Sequence, residues 1–343
     1  MEQNQTLTEP ILTIAVPTYN MERFLREDLE SYCAPALRGR LEVLILNNAS
    51  TDASADIARE FCSREPDIFR LIDRGSRGYG GSINDAQAAA RGTYFRIVDA
   101  DDWVNTAELV RFTELLQTVD ADVVLSDYCV VSMSDGGSRR VSSSAGTISA
   151  GTVVTDLRRI CATLPCIHST TYHTGLLRKS GFFMQDGIFF VDEEYVILPY
   201  LRAKNVLYTD CDVYRYRVDN PAQSTSPKNR AKFLRHREQI LKRLIEQVGQ
   251  AGGDAQAEES GGLAYCRDRV SKGIGDHFTT LYLYVSNRKE GRGLAKEWAA
   301  YVQKTAPEYW PSTKKKAAAL ALLNRFHVSL ALYAKFKRLL IRQ

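Results

Sequence analysis

Three aspartates close a short apolar run in Arg96-Ile97-Val98-Asp99-Ala100-Asp101-Asp102-Trp103. Carboxylates at the tip of a buried strand repel one another and lose hydration, so they need a counter-charge. A divalent cation with oxygen ligands supplies it, and a cation so placed can hold a diphosphate. The competing reading is a solvated acidic turn that caps the helix starting near Thr106, since Asp is a good N-cap.

The segments upstream decide what such a cluster would face. Residues 11–16 are a β-branched apolar run that breaks into Pro17-Thr18-Tyr19-Asn20, which reads as a buried strand and a loop. Phe24, Leu25, Leu29 and Tyr32 then fall at helical spacing. A second run, 41–46, ends in Asn47-Asn48-Ala49-Ser50-Thr51-Asp52. Ser50 or Thr51 can cap the following helix, with Ile57 and Phe61 on its inner face. A third strand, 69–72, opens into the Gly-rich stretch 73–84, and a helix over 84–91 leads to the strand 94–98 and the aspartates. Strands alternating with helices over short links predict a parallel sheet with right-handed crossovers. Ligands bind at the carboxyl ends of such strands, where all four polar loops fall.

The order and spacing of these pieces resemble the family-2 glycosyltransferases of the GT-A fold. The matching residues are Pro17-Thr18-Tyr19-Asn20, the Asn-Asn-x-Ser-Thr-Asp segment at 47–52, Gly78-Tyr79-Gly80-Gly81-Ser82-Ile83-Asn84, and Asp99-Ala100-Asp101-Asp102-Trp103, a form of that family's Asp-x-Asp motif. The resemblance is strong over 11–105, weaker up to 226 and absent from the C-terminal third. It implies an α/β GT-A-like fold with a mixed, mostly parallel sheet flanked by helices. It also implies inverting transfer of a sugar from a nucleotide-sugar, with Mg²⁺ or Mn²⁺ as cofactor.

On this resemblance Thr18 and Tyr19 meet the nucleotide, the Tyr19 ring stacking on the base; the alternative is a core tyrosine. Asn47 and Asn48 stand where the family more often carries Asp. An amide oxygen can accept the N3–H of uracil or thymine, whereas a carboxylate suits guanine better, so the change argues weakly against a guanine nucleotide. Asp52 can be a helix-start residue only. The Gly-rich loop brings backbone N–H groups to the diphosphate, with Arg74 and Arg77 to neutralise it. Gly78 and Asn84 belong to that donor group, although Asn84 replaces the last glycine of a dinucleotide fingerprint. Asp99 is the ribose or bridging contact, and Asp101 the metal ligand, with Asp102 as its alternative.

An acceptor hydroxyl must lose its proton as it attacks. The family uses a carboxylate further along the chain, and Ile188-Phe189-Phe190-Val191-Asp192-Glu193-Glu194-Tyr195 is its counterpart here. Asp192 takes the base position, with Glu193 as runner-up; the competing reading is an acidic first helix turn. His168, in Cys166-Ile167-His168-Ser169, reads as an acceptor-side or structural group, because no second His or Cys lies at ligand spacing. Tyr214-Arg215-Tyr216-Arg217 reads as a strand, either an edge strand or the support for a loop bearing Gln223-Ser224, which in relatives closes over the diphosphate.

Composition bounds these readings. Among 343 residues, 45 are basic and 41 acidic, a net +4, too small a surplus to argue for nucleic acid as partner. Seven cysteines without a CxxC pair suit a reducing cytoplasm, and the polar stretch 1–9 does not read as a signal peptide. The Gly-Ala-Glu stretch 251–262 reads as a flexible link. The expected organisation is a catalytic domain over 1–226 and a helical extension over 227–343, with helices at 229–248, 264–286, 293–304 and 312–342. The last is apolar on one side and basic around it, interrupted by Asn324, Arg325 and His327, so it is no membrane span. It can lie on the anionic cytoplasmic face of the plasma membrane, or pack on the chain itself or a second subunit.

The resulting expectation is a metal-dependent glycosyltransferase moving a sugar from a UDP-sugar to a hydroxyl of a glycan or lipid-linked acceptor, in surface polysaccharide assembly. The rivals are a sugar-nucleotide nucleotidyltransferase, which would carry a basic Gly-rich loop after the first strand, and a non-catalytic nucleotide-sugar-binding protein, which would tolerate loss of Asp101 or Asp192.

Overall fold

The computed structural model describes residues 9–73, 75–76, 78–219, 227–328 and 332–333. The chain divides into two compact units, one of residues 1–220 with 253–265, the other of 221–252 with 266–343.

In the first unit, β1 (Leu12–Thr18), β2 (Leu41–Asn47), β3 (Phe69–Asp73) and β4 (Tyr94–Ile97) form a parallel set in the order β3-β2-β1-β4. Their links carry α1 (Leu25–Glu30), α2 (Ser54–Arg64) and α3 (Gly78–Ala89). β1 runs through Pro17, where the sequence suggests a break. Its pairing with β4 has ended at Ala15, and a residue without an N–H is tolerated where one side of the ladder is open.

After β4 come β5 (Trp103–Val104), α4 (Thr106–Leu116), β6 (Val123–Ser132), β7 (Ser138–Val141), β8 (Val153–Val154), β9 (Thr170–His173), α5 (Thr174–Ser180), α6 (Asp192–Tyr195) and β10 (Val206–Val218). The sheet continues β4-β9-β6-β10-β5, with β9 antiparallel to both neighbours and β6 parallel to β10. The expected mixed GT-A-like sheet is therefore observed. β10 is not an edge strand: it lies between β6 and β5. The helix after the aspartates is capped by Asn105, whose side chain accepts the Glu108 N–H at 3.4 Å, so the Asp cluster is released from that task. Leu25 and Leu29 of α1, Tyr32 just after it, Phe61 of α2 and Phe112 of α4 pack against β1, β2 and β4 in one core.

Two expectations change. The Gly-rich stretch is not a loop before a helix at 84; α3 already begins at Gly78. Residues 253–265 are not a free link but part of the first unit. They carry α9 (Ala255–Glu259), capped by Asp254, and Tyr265, whose buried hydroxyl donates to the Val196 carbonyl.

The second unit is helical: α7 (Pro227–Lys232), α8 (Leu234–Gln250), most of α10 (Gly262–Thr279), α11 (Arg288–Thr305) and α12 (Trp310–Arg325). α8 buries Ile240, Leu241, Leu244 and Val248 at helical spacing. α12 stops at Arg325 rather than running to 342, and buries Thr313, Ala317, Leu320 and Asn324. Asn324 bonds the Tyr282 carbonyl and receives Arg292, each at 2.7 Å. Among the described residues no helix is long and apolar enough to cross a membrane.

Candidate active site

The loops after β1 and β2 are stitched together at the carboxyl edge. Asn20 accepts the Thr51 N–H at 2.8 Å, Ser54 the Met21 N–H at 2.8 Å, and Asp52 those of Glu22 and Ser54 at 3.0 Å. Asp52 thus serves the start of α2. Asn20 and Ala49 both hold positive φ, 53° and 59°, strain that persists only where surrounding bonds enforce it. Tyr19, 55% exposed, is no core tyrosine. Thr18 is sealed, and its hydroxyl turns back to the Val16 carbonyl; it supports the loop and is not presented to a ligand.

Asn47 is also buried. Its oxygen accepts the Ser50 N–H and its amide donates to Asp73 at 3.2 Å. Asn47 thus joins the end of β2 to Asp73 at the end of β3. Asn48 accepts the Gly78 N–H at 3.2 Å, tying the second loop to the start of α3.

The glycines of α3 answer to packing. A Cβ on Gly80 would stand 2.1 Å from the Gln185 carbonyl oxygen, and one on Gly78, at φ +68°, 3.0 Å from the Gly187 nitrogen. Asn84 closes the same contact, donating to the Met184 carbonyl at 2.8 Å and accepting its N–H at 2.9 Å. Both ends of the Asn84 amide are thus engaged with Met184. Its partner segment leads to Phe190, held at φ 70°, and on to Asp192. Asp192 is exposed, and its charge raises the pKa of both Asp99 and Tyr79. Glu194 is fully buried, receiving the Gln185 backbone and side-chain amides at 3.0 and 2.7 Å. The acidic turn thus splits into an outward carboxylate and a structural one.

The aspartates form a turn in which Asp102 donates its N–H to the Asp99 carbonyl at 2.9 Å. This brings 99 and 102 together and leaves Asp101 at the tip. Tyr79 donates to Asp99, and Tyr214 to Asp102, each at 2.6 Å; the Arg217 N–H reaches the second Asp102 oxygen at 2.6 Å. Burial, then the Asp101 charge, pushes Asp99 up to about 7, and burial raises Asp102 as well.

His168 joins this group. One ligand atom each of Asp99, Asp102 and His168 lie within 4.8 Å of one another. Its ring stacks on Tyr216 at 4.2 Å and leans on Tyr214 at 4.6 Å. Arg96 reaches its carbonyl oxygen. Burial depresses the imidazole to about 3, which keeps it neutral, and its Nδ1 has no hydrogen-bond partner. Two carboxylates and a neutral imidazole fit a divalent cation. The sequence expectation put the cation first on Asp101, with Asp102 as its alternative; it is the alternative that stands with Asp99 and His168, while the charge of Asp101 acts on both aspartates.

Tyr79, Tyr214, Arg96 and Asp28 were not anticipated here. Asp28 is fully buried with Oδ1 receiving Tyr32 and Oδ2 unpartnered, and the charges of Asp101 and Asp99 act on it. Its spacing from Leu25, and from Tyr32 just past the end of α1, was a readable signal. Arg77 and Gln223, expected on the donor, lie outside the described residues, as does Arg74.

Residues 13–181 match Glycosyl transferase family 2. This chain belongs to that family. Its relatives include the glycosyltransferase EpsJ of Bacillus subtilis (strain 168), 35% identical over 115 residues, which are 34% of this chain and 33% of EpsJ. Glycosyltransferase GlyA of Streptococcus pneumoniae is 28% identical over 130 residues, 38% of this chain and 18% of GlyA. The matches thus span a third or less of these relatives' own length. Among solved structures, S. aureus TarS 1–349 in complex with UDP-GlcNAc superposes with a TM-score of 0.67 over 92% of this chain and 89% of that one, at 20% identity. The likeness is one of fold.

Proposed function

We propose that this chain transfers a sugar from a UDP-sugar to a hydroxyl acceptor with inversion at the anomeric carbon, using a divalent cation. The observation that carries the reading is that the exposed Asp192 lies close enough to Asp99 for its charge to act on it, which offers a proton acceptor beside a cluster suited to a diphosphate. Tyr19 offers the stacking face. That TarS is solved with UDP-GlcNAc supports uracil as the base.

In the proposed reaction Asp192 accepts the acceptor's O–H proton while that oxygen bonds to the anomeric carbon. The bond from that carbon to the diphosphate breaks, and UDP leaves. Asp99, Asp102 and His168 would hold the cation, which supplies charge neutralisation to the leaving diphosphate.

The acceptor we infer is a glycan or lipid-linked glycan of the cell surface, met at the inner membrane face. α12 supports membrane contact by its outward side only: Leu322 and Phe326 are 57% and 74% exposed, beside Lys314, Lys315 and Arg325. Residues 334–343, part of the expected membrane helix, lie outside the described residues. A thermal-shift screen of UDP-, GDP- and dTDP-sugars with Mn²⁺ tests the donor, and NMR of the product's anomeric configuration tests inversion. Stabilisation by GDP-sugars alone, or a retained anomer, would refute the reading.

A further inference from the structure

We propose that the helical unit binds a small oxyanion of the phosphate type in a cavity between α8, α10 and α11, where Trp298 and His277 donate hydrogen bonds to it and Arg235 and Lys242 supply its counter-charge. The proposal concerns the second unit alone and stands apart from the sugar-transfer reading.

The cavity measures about 200 Å³, and all its walls belong to that unit. Drug-sized ligands occupy roughly 300–1,000 Å³, so the space suits one small group and not a nucleotide-sugar. Beside it the chain after α10 widens into a π-helix, Thr280–Tyr284, a feature frequent at functional sites.

The walls carry two polar groups that nothing in the unit meets. Trp298 and Tyr301, three positions apart on α11, stack at 5.2 Å, and His277 meets Trp298 edge to face at 4.8 Å. His277 and Trp298 are only 1% and 3% exposed, and neither His277 Nδ1 nor Trp298 Nε1 makes a hydrogen bond. A buried indole N–H usually finds a partner, and a buried polar atom without one is destabilising. Two such nitrogens in adjoining rings beside one cavity point to a shared partner. Indole can only donate, and a neutral imidazole donates from whichever nitrogen keeps its proton, so that partner is an acceptor.

The charge of the partner follows from the remaining wall. Arg235 and Lys242 both hold Glu238, at 2.9 and 2.8 Å, so two cations share one carboxylate. The other wall carboxylate, Glu297, is exposed. Burial, then the charges of Arg237, Arg235 and Lys242, lower His277 to about 3; the charges acting on the ring are thus positive. An acceptor in a positive field is an anion, and phosphate has oxygens enough to meet both rings and a cation at once.

The test follows the indole N–H signals of the full chain by ¹H–¹⁵N NMR. Inorganic phosphate and glycerol phosphate are titrated separately, with sodium chloride at matched ionic strength as control. The chain has three tryptophans, and the Trp298 signal is recognised in the wild type by its contact with the His277 ring. The expected result is a saturable shift of that signal with millimolar or tighter affinity, weakened at least about tenfold in Lys242→Gln and in Arg235→Gln. Both variants alter partly exposed side chains and leave the rings in place. Saturation by inorganic phosphate alone identifies a free ion as the ligand; saturation by both identifies a site that also takes an esterified phosphate. A Trp298 signal that phosphate moves no more than chloride does overturns the site, and so does an affinity equal in the wild type and both variants.

Discussion

The hydroxyl of Tyr214 donates to Oδ2 of Asp102 at 2.6 Å and accepts the Asp99 N–H at 3.1 Å. One side chain of β10 thus fixes both ends of the aspartate turn. Hydrogen bonds to charged groups contribute about 1.5–3 kcal/mol. Tyr214→Phe should lower stability by roughly that amount in chemical denaturation and reduce turnover. A variant as stable and active as the wild type would show the turn to be held by Arg217 and its own backbone.

Asp192→Asn should lower turnover by roughly 10²–10⁴-fold, the usual contribution of a general base, with donor affinity by calorimetry nearly intact. Glu194→Gln should instead act on stability, because its buried oxygens hold the Gln185 amides. If Glu193→Gln produces the catalytic loss and Asp192→Asn does not, the two residues exchange roles.

The pH dependence of the cation-free chain follows from Asp99, raised to about 7 by burial and by Asp101. An unfolded Asp titrates near ~3.9. Between these values the folded chain keeps a proton that the unfolded chain has lost, so this contribution is full below the lower value and is lost as pH rises through the upper one. His168, lowered to about 3 by burial, acts in the opposite sense: its contribution is present above ~6.5 and lost as pH falls. Comparison with Asp99→Asn isolates the aspartate. The wild-type melting temperature should fall, relative to the variant, from about pH 4 to pH 7; parallel profiles would mean an ordinary Asp99.

Gly80→Ala should be severe for so small a change, since its Cβ would stand 2.1 Å from the Gln185 oxygen. Separation of α3 from 184–187 would displace Asp192, so turnover should fall along with melting temperature. Gly293→Ala, in α11 with nothing within 4 Å of the new Cβ, is the control and should be neutral or stabilising by a few tenths of a kcal/mol, up to about 1.

Membrane contact through the outer side of α12 predicts sedimentation with anionic vesicles at low ionic strength and release as salt rises. Each Lys or Arg near the surface contributes about 1 kcal/mol. Leu322→Glu with Phe326→Glu should abolish sedimentation and leave the melting temperature unchanged. Removal of residues 312–343 is the wrong test, because Thr313, Ala317, Leu320 and Asn324 belong to the core of the helical unit. Sedimentation unaltered by the double variant would exclude this face.

The sequence by itself determined the parallel half of the sheet and the polar segments that follow its strands at the carboxyl edge. Those follow from local rules: apolar runs of strand length, short links, and polar residues where a strand ends. It also placed the aspartates at a strand tip. What it left undecided was which carboxylates act together, because Asp-x-Asp spacing says nothing of the turn that returns residue 102 to 99. The roles of Tyr214 and His168 were equally hidden, since β10 and the segment before β9 reach Asp99 only through the mixed half of the sheet. Asn84 and the glycines of α3 read as ligand contacts, but they serve a contact with residues about 100 positions away. Side chains that meet across strands or helices far apart in sequence have no period or spacing to betray them; the tertiary fold alone decides which of them touch.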